Sequence, residues 1–291
     1  MSMTEAEWQA SKDPEKMLGF LLGKEDARWW RWLGWPGRRG RPIQTVPKPL
    51  PSSRKLRLFA CACCRRIWGW LRDERSQEAV EASERFADGQ AGEQDLALAE
   101  ADAWAAVEAL QPAAIRAVLR AEAVAVTPGQ LWPWAARAAA ESASGDVDRA
   151  AQGTQAAVER AGMQWAAEGQ DIEQAARAVG AAARATLLRD IFGNPFRPAV
   201  ITPGWRAPSP TALAQGIYDD RTFAVISGRR RQGLDVLAQG IYDDRNFDTL
   251  GELADALEEA GCDDADILQH CRQPGEHVRG CWVLDLVLGK T

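Results

Sequence analysis

Both histidines of this 291-residue chain and three of its six cysteines fall in one short stretch near the C-terminus: Cys262, His270, Cys271, His277 and Cys281. Imidazole and thiolate are the ligand types that proteins use most for zinc, so this clustering is where the sequence comes nearest to chemistry. A structural zinc site needs four ligands that converge tetrahedrally, commonly as two closely spaced pairs. Cys61 and Cys64 are one such pair, since residues i and i+3 share a helix face, and His277 with Cys281 is another at i and i+4 if the last segment is helical. Cys61, Cys64, His277 and Cys281 therefore form a candidate Cys₃His set that would tie the two ends of the chain together. A wholly C-terminal set drawn from Cys262, His270 or Cys271, His277 and Cys281 competes with it. Neither spacing matches a well-known zinc finger. The simpler alternative is that these thiols are ordinary core residues, because free cysteine behaves as a small hydrophobe and is among the most buried side chains.

Other chemistry is weaker. A nucleophilic cysteine needs a base within hydrogen-bond reach and a group to orient that base. His277 beside Cys281 or Cys271 would supply the base, but no family-specific context surrounds them. Asp219-Asp220 and Asp243-Asp244 are adjacent pairs, which point about 100° apart on a helix and read as solvated helix ends. No phosphate loop, dinucleotide fingerprint, HExxH or GxSxG element occurs.

The elements that must position these residues read as helices throughout. Thr4 and Glu7 make a capping box, with Met3 and Trp8 placed for a hydrophobic staple, and Asp13-Pro14 is an N-cap followed by a first helical proline. From Glu25 to about Ser53 the texture changes to Trp, Arg, Pro and Gly, with four prolines between Pro42 and Pro51 that forbid regular helix. This segment reads as a mobile, disordered insert; its interleaved Trp and Arg would suit a membrane surface or single-stranded nucleic acid, but an insertion with no selected role is the simpler reading. Leu56, Phe59, Cys63, Ile67 and Trp70 recur at helical spacing and predict a buried stripe on a helix over Arg54 to Leu71, widened by Cys64, Trp68 and Leu71. Asp73 to Gly193 is rich in Ala and Glu, the composition of closely packed helices, with breaks expected at Gly89–Gly92, Gln111-Pro112, Thr127-Pro128, Gly145 and Gly169. Asn194 through Pro210 is a proline-rich connector. Beyond it LAQGIYDDR occurs twice, at Leu213–Arg221 and Leu237–Arg245, a tandem duplication of one short helix with Arg229-Arg230-Arg231 as a basic turn between the copies. Asp248 to Ala260, capped by Gly261, a short helix capped by Asp263 and ending at Cys271, and a final helix from His277 to Leu288 complete the chain.

Composition narrows the class. Fourteen Lys/Arg against four Asp/Glu leave Lys24 to Arg75 at +10, so with a net charge of −6 the remainder carries −16. A basic segment on an acidic body binds polyanions or docks on its own protein, the second being the simpler reading. The apolar runs are far too short to span a bilayer, and the opening residues lack the charged-then-apolar pattern of a signal peptide. The reducing cytoplasm is the expected location, with thiols rather than disulfides.

Five strings together resemble an uncharacterised paralogous family of planctomycete bacteria. They are Thr4-Glu-Ala-Glu-Trp8, Arg54 to Trp68 (RKLRLFACACCRRIW), Asn194-Pro-Phe-Arg-Pro198, Leu253 to Cys262 (LADALEEAGC) and His277-Val-Arg-Gly-Cys-Trp282. The resemblance covers most of the chain and is weakest through its Ala-rich middle. The family brings no established activity, and the Trp/Arg/Pro insert and the second LAQGIYDDR copy depart from its pattern.

The expectation is an all-α protein. Residues 1–193 form a helical body with an Ala-rich bundle and the insert near 25–53, 194–210 a connector, and 211–291 a smaller C-terminal helical unit with the duplicated helix and the Cys/His cluster. The expected function is that of a non-enzymatic cytoplasmic interaction protein with a protein partner and a candidate structural zinc. Nucleic-acid binding through residues 24–75 is the runner-up, and a cysteine-dependent enzyme is third.

Overall fold

A computed structural model describes residues 3–23, 51–120, 133–167, 180–197 and 221–290. Among the described residues the fold is all-α, with twelve α-helices and no strand. No helix among them is long and apolar enough to cross a membrane. The described residues divide into two compact units, Met1–Arg189 and Asp190–Thr291.

In the N-terminal unit α1 (Glu5–Ala10) opens on the expected capping box: Glu7 N donates to Thr4 Oγ1 at 3.3 Å, and Thr4 N donates to Glu7 Oε2 at 2.8 Å. Asp13 caps α2 (Pro14–Leu21) by accepting from Lys16 N at 2.9 Å. The turn between these helices is held by Arg189, whose Nη1 donates to the carbonyls of Trp8 (3.2 Å) and Ser11 (3.0 Å).

At the centre lies α3 (Ser53–Arg66), in which every residue from Leu56 to Cys64 is buried. The predicted stripe of Leu56, Phe59, Cys63, Ile67 and Trp70 is buried throughout. The helix stops earlier than its periodicity implied. It ends at Arg66, and Trp68–Trp70 tighten into a 3₁₀ turn around Gly69, whose low helix propensity favours the change. Around α3 pack α4 (Glu74–Ala87), α6 (Pro133–Ser142) and α7 (Val147–Ala167). α5 (Glu93–Arg120) lies against α4 and α6 through Ala79, Ala82, Ala99, Ala103, Ala136 and Ala140, small residues that let helix axes approach to about 8 Å.

The expected break at Gln111-Pro112 does not occur, since α5 continues to Arg120. One proline removes a single ladder hydrogen bond, a loss that a long helix packed on its neighbours survives. The breaks at Gly89–Gly92 and near Gly145 are present, whereas those at Thr127-Pro128 and Gly169 lie outside the described residues, as do the Trp/Arg/Pro segment up to residue 50 and the first LAQGIYDDR copy apart from Arg221; at the segment's expected end Ser52 already caps α3 and Ser53 is helical.

Several basic residues of α3 are committed inside the unit. Arg54 pairs with Asp88 at 3.1 Å, and Arg65 binds Glu84 through two bonds of 3.1 and 2.7 Å while stacking on Trp68. Arg57, only 3% exposed, donates to the carbonyls of Ser142 (3.2 Å) and Ser144 (2.8 Å) at the end of α6.

The two units are linked in sequence through α8 (Ala181–Phe192). In the C-terminal unit α9 (Arg221–Asp244) runs through Arg229-Arg230-Arg231, so these residues are helical and not the turn expected of them. A 3₁₀ turn at Phe247–Thr249 leads into α10 (Leu250–Glu259), which ends at Gly261 in the left-handed region (φ +94°). α11 (Ala265–Arg272) is capped by Asp264, one residue later than expected, because its Oδ1 accepts from both Asp266 N and Ile267 N. The last helix, α12, spans only Trp282–Leu288. Tyr242, Leu250, Leu253, Leu257, Ile267 and Leu284 form the centre of this unit's core.

Candidate metal centre

The shortening of the last helix creates the site. Gly280 adopts φ +93°, a conformation that strains any residue with a Cβ, so 277–281 form a turn in which Cys281 N bonds Val278 O at 2.9 Å. His277 and Cys281 are therefore not stacked on one helix face, as their spacing implied. They lie at the two ends of a loop wrapped around Asp190, whose Oδ2 accepts from Val278 N at 3.0 Å.

Four side chains converge there. Asp190 comes from the last turn of α8, His270 from the last turn of α11, His277 from the loop, and Cys281 from the N-cap position of α12. One ligand atom from each lies within 4.8 Å of every other, an arrangement that could hold a metal ion. His277 Nδ1 is 2.6 Å from Asp190 Oδ1, while His270 Nε2 is 3.2 Å from both Asp190 Oδ1 and Cys281 Sγ. Zinc bonds of about 2.0 Å to nitrogen and oxygen and 2.3 Å to sulfur put tetrahedral ligand atoms roughly 3.3–3.6 Å apart. The two His270 separations of 3.2 Å are thus within about 0.3 Å of that geometry, and the tightest edge, Asp190 to His277 at 2.6 Å, must open by about 0.7 Å. The His277 Nε2 atom is buried with no hydrogen-bond partner among the described residues.

Burial dominates the electrostatics. It pushes the Cys281 thiol well above its ordinary value, and the Asp190 charge adds to that rise; the amides of Leu284 and Val283 at the start of α12 oppose it. Burial also works against ionisation of Asp190, but hydrogen bonds from His270 and His277 outweigh it and hold the carboxyl below its ordinary range. A cation bound here would replace the proton on sulfur outright. Without one, Cys281 is a neutral thiol with no exposure, which is the opposite of what nucleophilic catalysis requires.

The surroundings fix the four residues in place. The His270 ring lies 5.1 Å from Trp282 and 4.9 Å from His277, centroid to centroid. Gly193 (φ +62°) turns the chain just after α8, and a Cβ there would sit 3.1 Å from the Trp282 ring. Gly193→Ala combines a left-handed backbone with this close approach, and is expected to cost about 1–3 kcal/mol of stability. Denaturant unfolding of the variant checks it; a loss below about 0.5 kcal/mol would mean that the ring moves aside without cost. Beside the centre, Phe247, Asp255, Cys271, Arg272, Gln273 and His277 line a cleft of about 450 Å³ that gives solvent a route to His277.

Of the residues proposed from sequence, His270, His277 and Cys281 are brought together. Cys61 and Cys64 are not in this group. They belong to the N-terminal unit and have partners there: the Cys61 thiol donates to Val80 O at 3.8 Å, and Cys64 interacts with Ser142. Cys262 and Cys271 lie in the C-terminal core without joining the four candidate ligands. Burial pushes Cys61, Cys63 and Cys271 up to about 12.

Native alkylation of Cys61 and Cys63 at pH 8 is therefore expected to be slower than in the unfolded chain by on the order of a thousandfold, from the thiolate fraction alone. Mass spectrometry after timed labelling reads this; rapid modification of either residue would contradict their burial. The folded value lies above the unfolded one, so these thiols stabilise the native state below about pH 8.5, and that contribution is lost as pH rises towards 12.

Asp190 is the candidate ligand that sequence reasoning missed. Its signal was modest: a lone carboxylate in Leu187-Leu-Arg-Asp-Ile-Phe192, between Leu188 and Ile191, which are both wholly buried. Comparison with known proteins adds no further guide, since no family model, curated protein or solved structure matches the chain.

Proposed function

We propose that the C-terminal unit binds one zinc ion through Asp190, His270, His277 and Cys281, and that the protein is a non-enzymatic, cytoplasmic helical interaction protein whose C-terminal unit the metal locks. The observation that carries this reading is the convergence of four protein donors of suitable type, with side chains between 0 and 10% exposed. Two imidazoles, a thiolate and a single carboxylate form a borderline set that suits zinc better than the all-oxygen cations magnesium and calcium. A catalytic zinc keeps an open position for water or substrate, whereas four protein ligands close the coordination shell, which favours a structural role. Ligands drawn from α8, α11 and the 277–281 loop have no common site in an unfolded chain, so binding energy becomes folding energy. Under the planctomycete resemblance, the HVRGCW string carries His277 and Cys281, and its members are expected to hold the same centre.

Equilibrium dialysis of the full chain against buffered zinc, followed by metal analysis, tests the reading. One tightly held zinc per chain, removed by a strong chelator, is the expected result. A substoichiometric trace that washes out without a chelator would overturn it.

A further inference from the structure

We infer that Gln273 is the partner that lets His270 move its proton to Nδ1 and present a bare Nε2, and so positions His270 as a metal ligand. The inference deepens the zinc reading and rests on it. Gln273 follows directly on α11, and its amide Nε2 lies 3.1 Å from His270 Nδ1. The opposite ring nitrogen, Nε2, is the one that faces Cys281 and Asp190. A neutral imidazole has one protonated and one bare nitrogen, and the hydrogen bond made by one fixes the state of the other.

With the amide NH₂ against Nδ1, that nitrogen is an acceptor and the proton sits on Nε2, where it is shared between the Asp190 carboxylate and the Cys281 sulfur. A ring in this form cannot bind metal through Nε2. Turning the amide end for end places Oε1 against Nδ1 instead. Nδ1 then holds the proton and donates it to the amide, leaving the Nε2 lone pair bare towards the cluster. The two ends of the amide are nearly the same size, so the exchange requires only rotation about the last side-chain bond. Gln273 is exposed and lines the cleft beside the centre, so the rotation meets no packed core. An amide serves both forms of the ring; a carboxylate serves only the metal-ready form, and an aliphatic side chain serves neither. Partners that orient a ligating histidine in this way are typically worth 10–100-fold in metal affinity.

Two measurements on the full chain test this, using Gln273→Leu and Gln273→Glu. In the metal-free protein, ¹⁵N–¹H correlation spectra of the imidazoles report the tautomer directly. The natural protein is expected to hold the His270 proton on Nε2, and Q273E to hold it on Nδ1. In chelator competition, Q273L is expected to bind zinc at least tenfold more weakly than the natural protein, and Q273E at least as tightly. A tautomer that is the same in the natural protein and Q273E, or a Q273L affinity equal to that of the natural protein, would overturn the inference. Absence of zinc binding by the natural protein would instead overturn the metal reading, and the spectra of the metal-free chains would still decide the role of Gln273.

Discussion

Zinc added to the metal-free full-length protein is expected to raise the melting temperature of the C-terminal unit by on the order of 15 °C, and Cys281→Ser to abolish most of that rise. A ligand that binds only the folded form stabilises it by about 4 kcal/mol when its free concentration is a thousand times Kd, and each kcal/mol moves the midpoint of a unit of about 100 residues by roughly 4–8 °C. Serine keeps the shape of position 281 but replaces a soft thiolate with a poor zinc donor. Zinc affinity is expected to fall at least a hundredfold, equivalent to about 2.7 kcal/mol. His270→Ala should behave alike, because its Nε2 is the atom 3.2 Å from both Asp190 and Cys281. Cys61→Ala is the control: its thiol bonds Val80 in the N-terminal unit, so it lowers stability there and leaves the zinc-dependent shift intact. Calorimetry with and without zinc makes the comparison. A shift that survives in Cys281→Ser, or disappears in Cys61→Ala, would assign the metal to other residues.

The second large effect belongs to Arg57. The residue is 3% exposed, and burial is the main influence lowering its pKa. It remains in the interior because it donates to the carbonyls of Ser142 and Ser144, where α6 ends and the chain turns at Gly145. The Ser142 carbonyl is at the negative end of the α6 dipole and has no partner within its own helix, and the Ser144 carbonyl lies just beyond it. Ser83 Oγ also donates to Ser142 O, at 2.7 Å, and the Arg57 guanidinium stacks over Phe86 at 5.0 Å. Arg57→Ala removes two charge-assisted hydrogen bonds and leaves a cavity, an expected loss of about 3–5 kcal/mol. Arg57→Met keeps the alkyl packing and should recover roughly a third of that. Urea unfolding of the two variants separates packing from hydrogen bonding; a cost under about 1 kcal/mol for Arg57→Ala would show that water replaces the guanidinium freely.

Local signals in the sequence translated well into structure. The Thr4–Glu7 capping box, the Asp13-Pro14 start and the α3 stripe each depend on residues within one or two helical turns, and each is found. Where a single proline or a run of charge argues for a turn, the helix continues: α5 passes Pro112, and α9 passes the Arg229–Arg231 run. The candidate metal centre was legible by half. His270, His277 and Cys281 stand out by residue type, but His277 and Cys281 were placed on a helix because apolar periodicity after Gly280 masked the turn before it. Asp190 lies 87 positions before His277, and a carboxylate inside a helix carries no local mark of a ligand. The pairing of Cys61–Cys64 with His277–Cys281 followed from spacing alone. Spacing cannot show that Cys61 is already bonded to Val80 and that Cys64 interacts with Ser142 in their own unit.

Titration of the metal-free full chain with cobalt(II), read by visible absorption, tests the central claim most directly, because tetrahedral cobalt is strongly coloured and each thiolate ligand adds its own charge-transfer band. The account predicts saturation at one equivalent, a tetrahedral spectrum with a single thiolate contribution, loss of that contribution in Cys281→Ser and its persistence in Cys61→Ala and Cys64→Ala. A weak octahedral spectrum, or a thiolate band that survives Cys281→Ser, would contradict it.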